Sequence, residues 1–123
     1  MTDGRRTTDA ETLAATPTDL TLADVVEAAA GEAAGVARAL DGEVVTFGAG
    51  SPPVVFATLA GDRAEFRLDP LVAGAALRTP DTGPSPRGAD WVSFRPEVVD
   101  DGAVDRAEAW FLSAHRRATT GSR

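Results

Sequence analysis

The sequence contains no cysteine, no lysine and no isoleucine, and the first absence closes several chemistries. Without cysteine there is no disulfide framework, no thiolate nucleophile and no cysteine-ligated zinc or iron–sulfur cluster. No apolar run reaches the roughly 18 residues that a membrane-spanning helix needs, so we expect a cytoplasmic protein that does not enter a membrane. All 12 basic residues are arginine and they face 19 acidic residues, which gives a net charge of −7.

The composition also predicts the environment of the protein. Missing lysine and isoleucine are typical of a GC-rich genome, and aspartate outnumbers glutamate by 12 to 7. Strong salt shortens the range of repulsion between like charges, so such an acidic surface is typical of halophilic archaea. We expect that source, with a high-GC actinobacterium as the alternative. An acidic surface repels phosphate backbones, which disfavours nucleic acid as a partner but leaves room for a local basic patch.

The length of 123 residues fits one domain. Residues 1–18 carry only two large apolar side chains, too few to offset the entropy of ordering, and we predict a flexible polar tail there. The Arg5-Arg6 pair lacks the apolar stretch that would follow it in a twin-arginine signal. We therefore predict one folded domain over 19–118 and a disordered C-terminus over 119–123.

The domain is predicted to begin with a long helix. Thr21 starts a capping-box pattern with the acidic residue three positions later, and apolar residues recur at three- and four-residue steps as far as Leu40. Gly42 is the expected residue just beyond the helix end. Gly31 and Gly35 each cost about 1 kcal/mol relative to alanine, so this helix is locally weak or closely packed.

Three short strands follow at hairpin spacing, over 43–47, 54–59 and 64–68. This spacing predicts an antiparallel meander. In the third strand apolar residues alternate with Glu65 and Arg67, which predicts one buried and one exposed face. Helices should therefore cover one face of the sheet only.

The second half of the domain has two helices and one strand. Asp69 before a proline predicts a short helix to about Arg78, because proline suits the first helical position. The stretch 79–89 is rich in proline and glycine and predicts a loop. A strand is expected over 91–95 and a final helix over about 100–118. The fold class is α+β, with two layers, a mainly antiparallel sheet of four to five strands, and the order α-β-β-β-α-β-α.

Catalytic chemistry has little support. His115 is the only histidine and the first candidate for acid–base work, but its place beside Arg116 and Arg117 in a last helical turn favours a surface residue that interacts with the helix dipole. No serine lies in a nucleophile-elbow sequence. Acidic pairs such as Asp24 and Glu27 are interpreted as solvated. We predict no catalytic residue, no metal site and no cofactor.

The most informative candidate site is formed by Arg67, Trp91 and Arg95. Alternation along the strands predicts that these side chains share the exposed face of the sheet, with the aromatic ring between two guanidinium groups. Such a surface suits planar or anionic ligands, or single-stranded nucleic acid. The alternative is that Trp91 packs against Trp110 or a loop as part of the core.

Two stretches resemble known families. Residues 66–70 (Phe-Arg-Leu-Asp-Pro) and 91–94 (Trp-Val-Ser-Phe), with the order of predicted elements over about 19–118, resemble the MmcQ/YjbR-like family, whose fold is similar to that of frataxin and CyaY. The second stretch also resembles the small luciferase-associated domain of bacterial proteins. The first resemblance implies a two-layer α+β fold and, from the usual description of its members, DNA binding.

Three functional hypotheses follow from the sequence. The leading one is a non-catalytic binding or interaction module that uses Arg67, Trp91 and Arg95. The alternatives are weak DNA binding of the MmcQ/YjbR type and a small enzyme that uses His115. The partner is not identified by the residues, and a homodimer is compatible with them.

Overall fold

The computed structural model describes residues 20–120, so the predictions for the N-terminal tail and for the last three residues lie outside the described residues. In chain order the elements are α1 (Leu22–Glu32), β1 (Ala37–Asp41), β2 (Val44–Ala49), β3 (Val54–Ala60), β4 (Arg63–Arg67), α2 (Pro70–Ala76), β5 (Thr82–Pro84), β6 (Trp91–Phe94) and α3 (Asp101–Thr120). The strands form one antiparallel sheet in the order β1-β2-β3-β4-β6-β5. The predicted α+β class is confirmed, with six strands in place of four to five.

The first helix begins as predicted but is much shorter. The Thr21 hydroxyl accepts a hydrogen bond from the backbone N–H of Asp24, and the Asp24 carboxylate accepts one from the Thr21 N–H, which completes the capping box. The helix ends at Glu32, and Gly35 then adopts a φ of 71°, a left-handed conformation that no α-helix continues through. The predicted helix was therefore wrong beyond residue 32.

The segment assigned to the end of that helix is strand β1. It forms a hairpin with β2, in which Asp41 pairs with Val44 and Gly42 has a φ of 65°. The two residues between this pair, Gly42 and Glu43, form the turn. A glycine with a positive φ at the first of two turn positions is typical of a hairpin, so Gly42 is a turn residue and not the end of a helix. The five residues of β1 are all exposed, and β1 forms one edge of the sheet.

The other edge is strand β5, which lies inside the predicted loop 79–89. Thr82 pairs with Phe94, and Pro84 pairs with Val92. A three-residue strand containing glycine and proline has no apolar alternation, and for this reason the sequence predicted a loop here.

The two later helices begin where predicted. The Asp69 carboxylate accepts a hydrogen bond from the N–H of Leu71, with Pro70 at the first helical position. The Asp100 carboxylate accepts one from the N–H of Ala103 at the start of α3, at 2.9 Å. α3 continues to Thr120, two residues beyond the predicted domain.

One face of the sheet packs against the helices through aromatic rings, and we call it the helix face. Phe111 of α3 meets Phe47 and Phe56 edge-on, with ring centroids 5.4 and 5.3 Å apart. Trp110, on the same helix, meets Phe94 at 5.1 Å. These rings are buried, so the aromatic cluster forms the centre of the core.

The opposite face carries a polar row, and we call it the open face. The register pairs Thr46 with Thr58, Thr58 with Glu65, and Glu65 with Ser93. Paired residues of an antiparallel sheet share a face, so these four side chains cross four neighbouring strands together. The helices lie on the other side, as predicted.

No helix among residues 20–120 is long and apolar enough to cross a membrane.

Candidate functional site

The three predicted site residues share the open face, but they are not equally close together. Arg67 pairs directly with Trp91 across β4 and β6. Arg95 lies four residues further along, about 13 Å from Trp91 at roughly 3.3 Å per residue. Trp91 is partly exposed, whereas Trp110 lies on the helix face. The structure thus brings Arg67 and Trp91 together and places Arg95 at the other end of the sheet.

Arg87 contacts the Trp91 ring, and the sequence did not predict this residue for the site. The Arg87 guanidinium carbon lies 5.6 Å from the ring centroid, within the range of a cation–π interaction. The neighbouring Gly88 is also close, because a Cβ atom there would lie 3.2 Å from Cδ1 of Trp91. One edge of the Trp91 ring thus contacts the loop, while the side chain stays partly exposed and lies outside the buried core.

The loop that carries Arg87 is fixed to the open face by Glu65. One carboxylate oxygen of Glu65 accepts hydrogen bonds from Thr58 at 3.2 Å and from Nε of Arg87 at 2.8 Å, and the other accepts from Ser85 at 2.7 Å. Glu65 is only 5% exposed and Thr58 only 2%. The predicted alternation placed Glu65 on an exposed face, which is wrong because the loop covers it.

The surroundings of Glu65 favour its charged form. Burial raises the pKa of the carboxyl, but hydrogen bonds from Ser85, Arg87 and Thr58, with the charge of Arg87, outweigh burial and hold the pKa below its usual value. Glu65 is therefore a carboxylate at neutral pH, and its negative charge orients the guanidinium of Arg87 toward the Trp91 ring.

Asp90 binds Arg67, the arginine that pairs with Trp91 across the strands. Its Oδ2 atom accepts hydrogen bonds from Nε of Arg67 at 3.0 Å and from Nη1 of Arg117 at 2.9 Å. The bond from Arg117 lowers the pKa of Asp90 most, burial opposes it, and the bond from Arg67 lowers it further. Asp90 thereby links the end of β4, the start of β6 and the end of α3.

The third predicted arginine forms a more exposed pair. Nε of Arg95 lies 3.1 Å from Oδ1 and 3.2 Å from Oδ2 of Asp62, and both side chains are largely exposed. Arg63, one residue after Asp62, is exposed and lies on the open face by alternation with Glu65. Among the described residues Arg63 has no ion-pair partner.

Three of these four arginines share one geometry. Arg67, Arg87 and Arg95 each bind a carboxylate through Nε. Their terminal Nη groups make no hydrogen bond to any residue in the described range 20–120. A guanidinium has five N–H donors, so each side chain is oriented by one of them, and the other four have no acceptor among the described residues. We call Arg63, Arg67, Arg87, Trp91 and Arg95 the arginine–tryptophan surface.

His115 lies elsewhere, on the other side of the core. Its Nε2 atom is 2.7 Å from the backbone carbonyl oxygen of Ala34, and its ring meets Phe56 edge-on at 5.5 Å. The ring therefore joins α3 to the segment that follows α1. Within residues 20–120 no three histidine, cysteine or acidic side chains group closely enough to hold a metal ion.

Comparison of the chain with models of protein families, with curated proteins and with solved structures found no match. The resemblances to the MmcQ/YjbR-like family and to the luciferase-associated domain therefore stay predictions.

No pattern in the sequence indicated that Glu65 and Arg87 contribute to this site. Their contact joins residues 22 positions apart, on either side of α2 and β5, and periodicity along the chain carries no information on such a contact. The available signal was the loop itself, because a long loop rich in proline that contains a basic residue is typical of a binding surface.

Proposed function

We propose that this protein is a non-catalytic binding module whose ligand contacts the arginine–tryptophan surface and carries an anionic group next to a planar one. The single observation that carries this proposal is the shared geometry of Arg67, Arg87 and Arg95, each held at Nε by a carboxylate. A ligand then meets guanidinium groups that are already oriented, most firmly Arg87 by the buried Glu65, which reduces the entropy lost on binding.

The local charge supports an anionic ligand. Four arginines of the surface face three carboxylates, from Asp62, Glu65 and Asp90, which leaves a local charge of +1. The whole chain has a net charge of −7. The arginine–tryptophan surface is therefore a region where the acidic character of the protein is reversed.

The planar part of the ligand is inferred from Trp91. Its indole ring is partly exposed, and Arg87 and Gly88 hold it in place. A ring fixed in this way stacks on a flat group without losing rotamer freedom on binding, and stacking of a base on an aromatic side chain contributes about 1–3 kcal/mol.

The test is an NMR titration with three small probes: adenosine monophosphate, which is planar and anionic; adenosine, which is only planar; and inorganic phosphate, which is only anionic. We expect adenosine monophosphate to shift the indole N–H of Trp91 and to bind more tightly than either of the others. Absence of a Trp91 shift with all three probes at millimolar concentration would contradict the proposal.

Variants assign the binding to the surface. Trp91→Ala should weaken binding of adenosine monophosphate about tenfold, and Trp91→Phe, which keeps a ring, should weaken it less. Arg67→Gln should weaken it, while Arg116→Gln, the same charge change at an exposed position on α3, should not. Equal weakening by the two arginine variants would show that only net charge matters.

Weak DNA binding is the second candidate, because the same guanidinium groups suit phosphates and the MmcQ/YjbR-like resemblance implies it. A mobility shift of a short duplex at low salt, lost steeply as salt is added, is the expected result. A folded sample that gives no shift at low salt would contradict it.

A further inference from the structure

A groove lies at the end of the sheet opposite Trp91, and the proposed function does not use it. It is enclosed by the start of α1, the turn between β3 and β4, and the segment 96–101 that leads into α3. Its volume is about 880 Å³. This is within the range of sites that hold a small molecule or a few residues of a peptide. We call it the α1–α3 groove.

The floor of the groove is apolar. Leu22 is buried at its base, and Val99 is partly buried against the core. Leu20 and Val98 also line the groove, yet they are 39% and 67% exposed. Apolar side chains gathered in a concave surface and left in contact with water gain free energy when another apolar group covers them.

The rim of the groove is acidic. Asp62, Glu97, Asp100 and Asp101 line it, and no arginine or histidine does. Asp62 is paired with Arg95, and Asp100 caps α3. Glu97 and Asp101 are exposed and have no ion-pair partner in the described part of the chain. The groove thus combines an apolar floor with two carboxylates, of Glu97 and Asp101, that no cation of the described residues neutralises.

Three candidate occupants of the groove differ in charge: residues 1–19 of this chain, a second copy of it, and a segment of another protein. Residues 1–19 of this chain contain two arginines and four acidic residues, a net charge of −2, and a second copy carries −7. Both would bring negative charge to a negative rim. A segment that alternates basic and apolar side chains complements the rim and the floor together.

We propose that the α1–α3 groove binds a short basic and apolar peptide segment of a partner protein. Apolar side chains of the segment cover Leu20 and Val98, and its lysine or arginine groups lie against Glu97 and Asp101. Of the arginine–tryptophan surface only Arg95 approaches this groove, through its pair with Asp62 on the rim. The proposed contacts do not use that pair, so different residues test the two proposals.

The test is a titration of the full chain, followed by NMR, with the synthetic peptide acetyl-Arg-Leu-Arg-Leu-Arg-amide. Two control peptides replace arginine by glutamate or leucine by serine. The first peptide should shift the amide and methyl signals of Leu20, Val98 and Val99 and bind more tightly than either control. Shifts spread over other acidic regions, or equal binding by the serine peptide, would overturn the proposal.

Paired variants separate the groove from net charge. The double variant Glu97→Gln/Asp101→Asn should weaken the peptide about fivefold, since it removes two exposed and therefore individually weak ion pairs. The double variant Glu32→Gln/Glu108→Gln makes the same charge change at exposed positions away from the groove and should leave affinity unchanged. Equal weakening by both variants would overturn the proposal.

A substitution of Val98 tests the apolar contact separately. Val98→Ser changes an exposed side chain, should leave the fold intact, and should weaken binding of the peptide about threefold.

Nuclear Overhauser contacts between residues 1–19 and Val98 in the free protein would show that the chain fills its own groove and would overturn the proposal. Groove signals that move with protein concentration would show a second copy there and would also overturn it.

Discussion

The two faces of the sheet bury their residues by different means. On the helix face, Phe111 and the rings around it are covered by α3, and contact between apolar surfaces excludes water. On the open face, Glu65 is covered by a loop of the same chain, and hydrogen bonds from Thr58, Ser85 and Arg87 compensate for lost hydration. The first face depends on shape and area, and the second depends on charge and on geometry.

This difference decides how each face responds to a change. The stability gained from apolar burial falls in proportion to the side-chain volume that a substitution removes, and it is nearly independent of pH. The stabilisation that a buried carboxylate gains from three hydrogen-bond donors is lost when any donor is removed, or when the carboxylate gains a proton. Four predictions test this contrast, from the largest expected effect to the smallest.

Removal of a ring from the helix face should have the largest effect. Phe111→Ala leaves a cavity between Phe47 and Phe56 and should lower the free energy of unfolding by about 3–5 kcal/mol, measured by urea denaturation. Leu112→Ala, at the next position and 40% exposed, is the control and should cost less than about 1 kcal/mol. Similar losses for both would show that Phe111 is not central to the core.

Loss of charge on the open face should have an intermediate effect. Glu65→Gln keeps the shape of the side chain but turns one acceptor into a donor that faces other donors, which should cost about 1–3 kcal/mol. Glu108→Gln, an exposed position on α3, should stay within about 0.5 kcal/mol of the unchanged protein. A neutral result for Glu65→Gln would mean that the loop holds its place without this carboxylate.

The contribution of Glu65 should also disappear in acid. Because folding lowers the pKa of Glu65, the unfolded chain binds a proton more readily than the folded one. The stabilisation is fully present above the unfolded glutamate pKa of about 4.3 and is lost as pH falls through the lower folded value. The difference in unfolding free energy between the protein and Glu65→Gln should therefore shrink below about pH 4.5. A difference that stays constant down to pH 3 would contradict this assignment.

The smallest effect is expected at the exposed end of the open face. Arg95→Gln breaks only the pair with Asp62, in which both side chains are largely exposed, and should cost less than about 0.5 kcal/mol. Arg87→Gln breaks a pair with the buried Glu65 and should cost more. An Arg95 variant more harmful than the Arg87 variant would reverse the order that burial predicts.

The sequence predicted those parts of the fold in which a local signal and the tertiary structure agree. Thr21 and Asp69 begin their helices as their capping patterns indicate, and the strands around Phe66 alternate as the helix face requires. The failure came at Ala37–Asp41, where alanine and leucine fit a helical stripe but pair instead with β2. Hydrogen bonds across strands decide that segment, and helical periodicity does not detect them.

The candidate site was predictable only where strand geometry alone decides the position of a side chain. Alternation placed Arg67 and Trp91 on one face, which the register bears out, because that rule depends only on strand geometry. It failed for Glu65, because burial of that side chain is caused by Ser85 and Arg87 in a loop with no periodic pattern. Sequence patterns therefore did not predict the contacts that irregular segments make.

The unequal edges of the sheet limit how copies of this protein combine through strand pairing. β5 is three residues long and contains Pro84, which has no N–H to offer, whereas β1 offers five exposed residues without proline. Strand addition is therefore favourable on one side only. If two copies pair through β1, each uses its single open edge and neither can accept a third. Such pairing ends at a two-fold symmetric dimer and does not continue into a fibre.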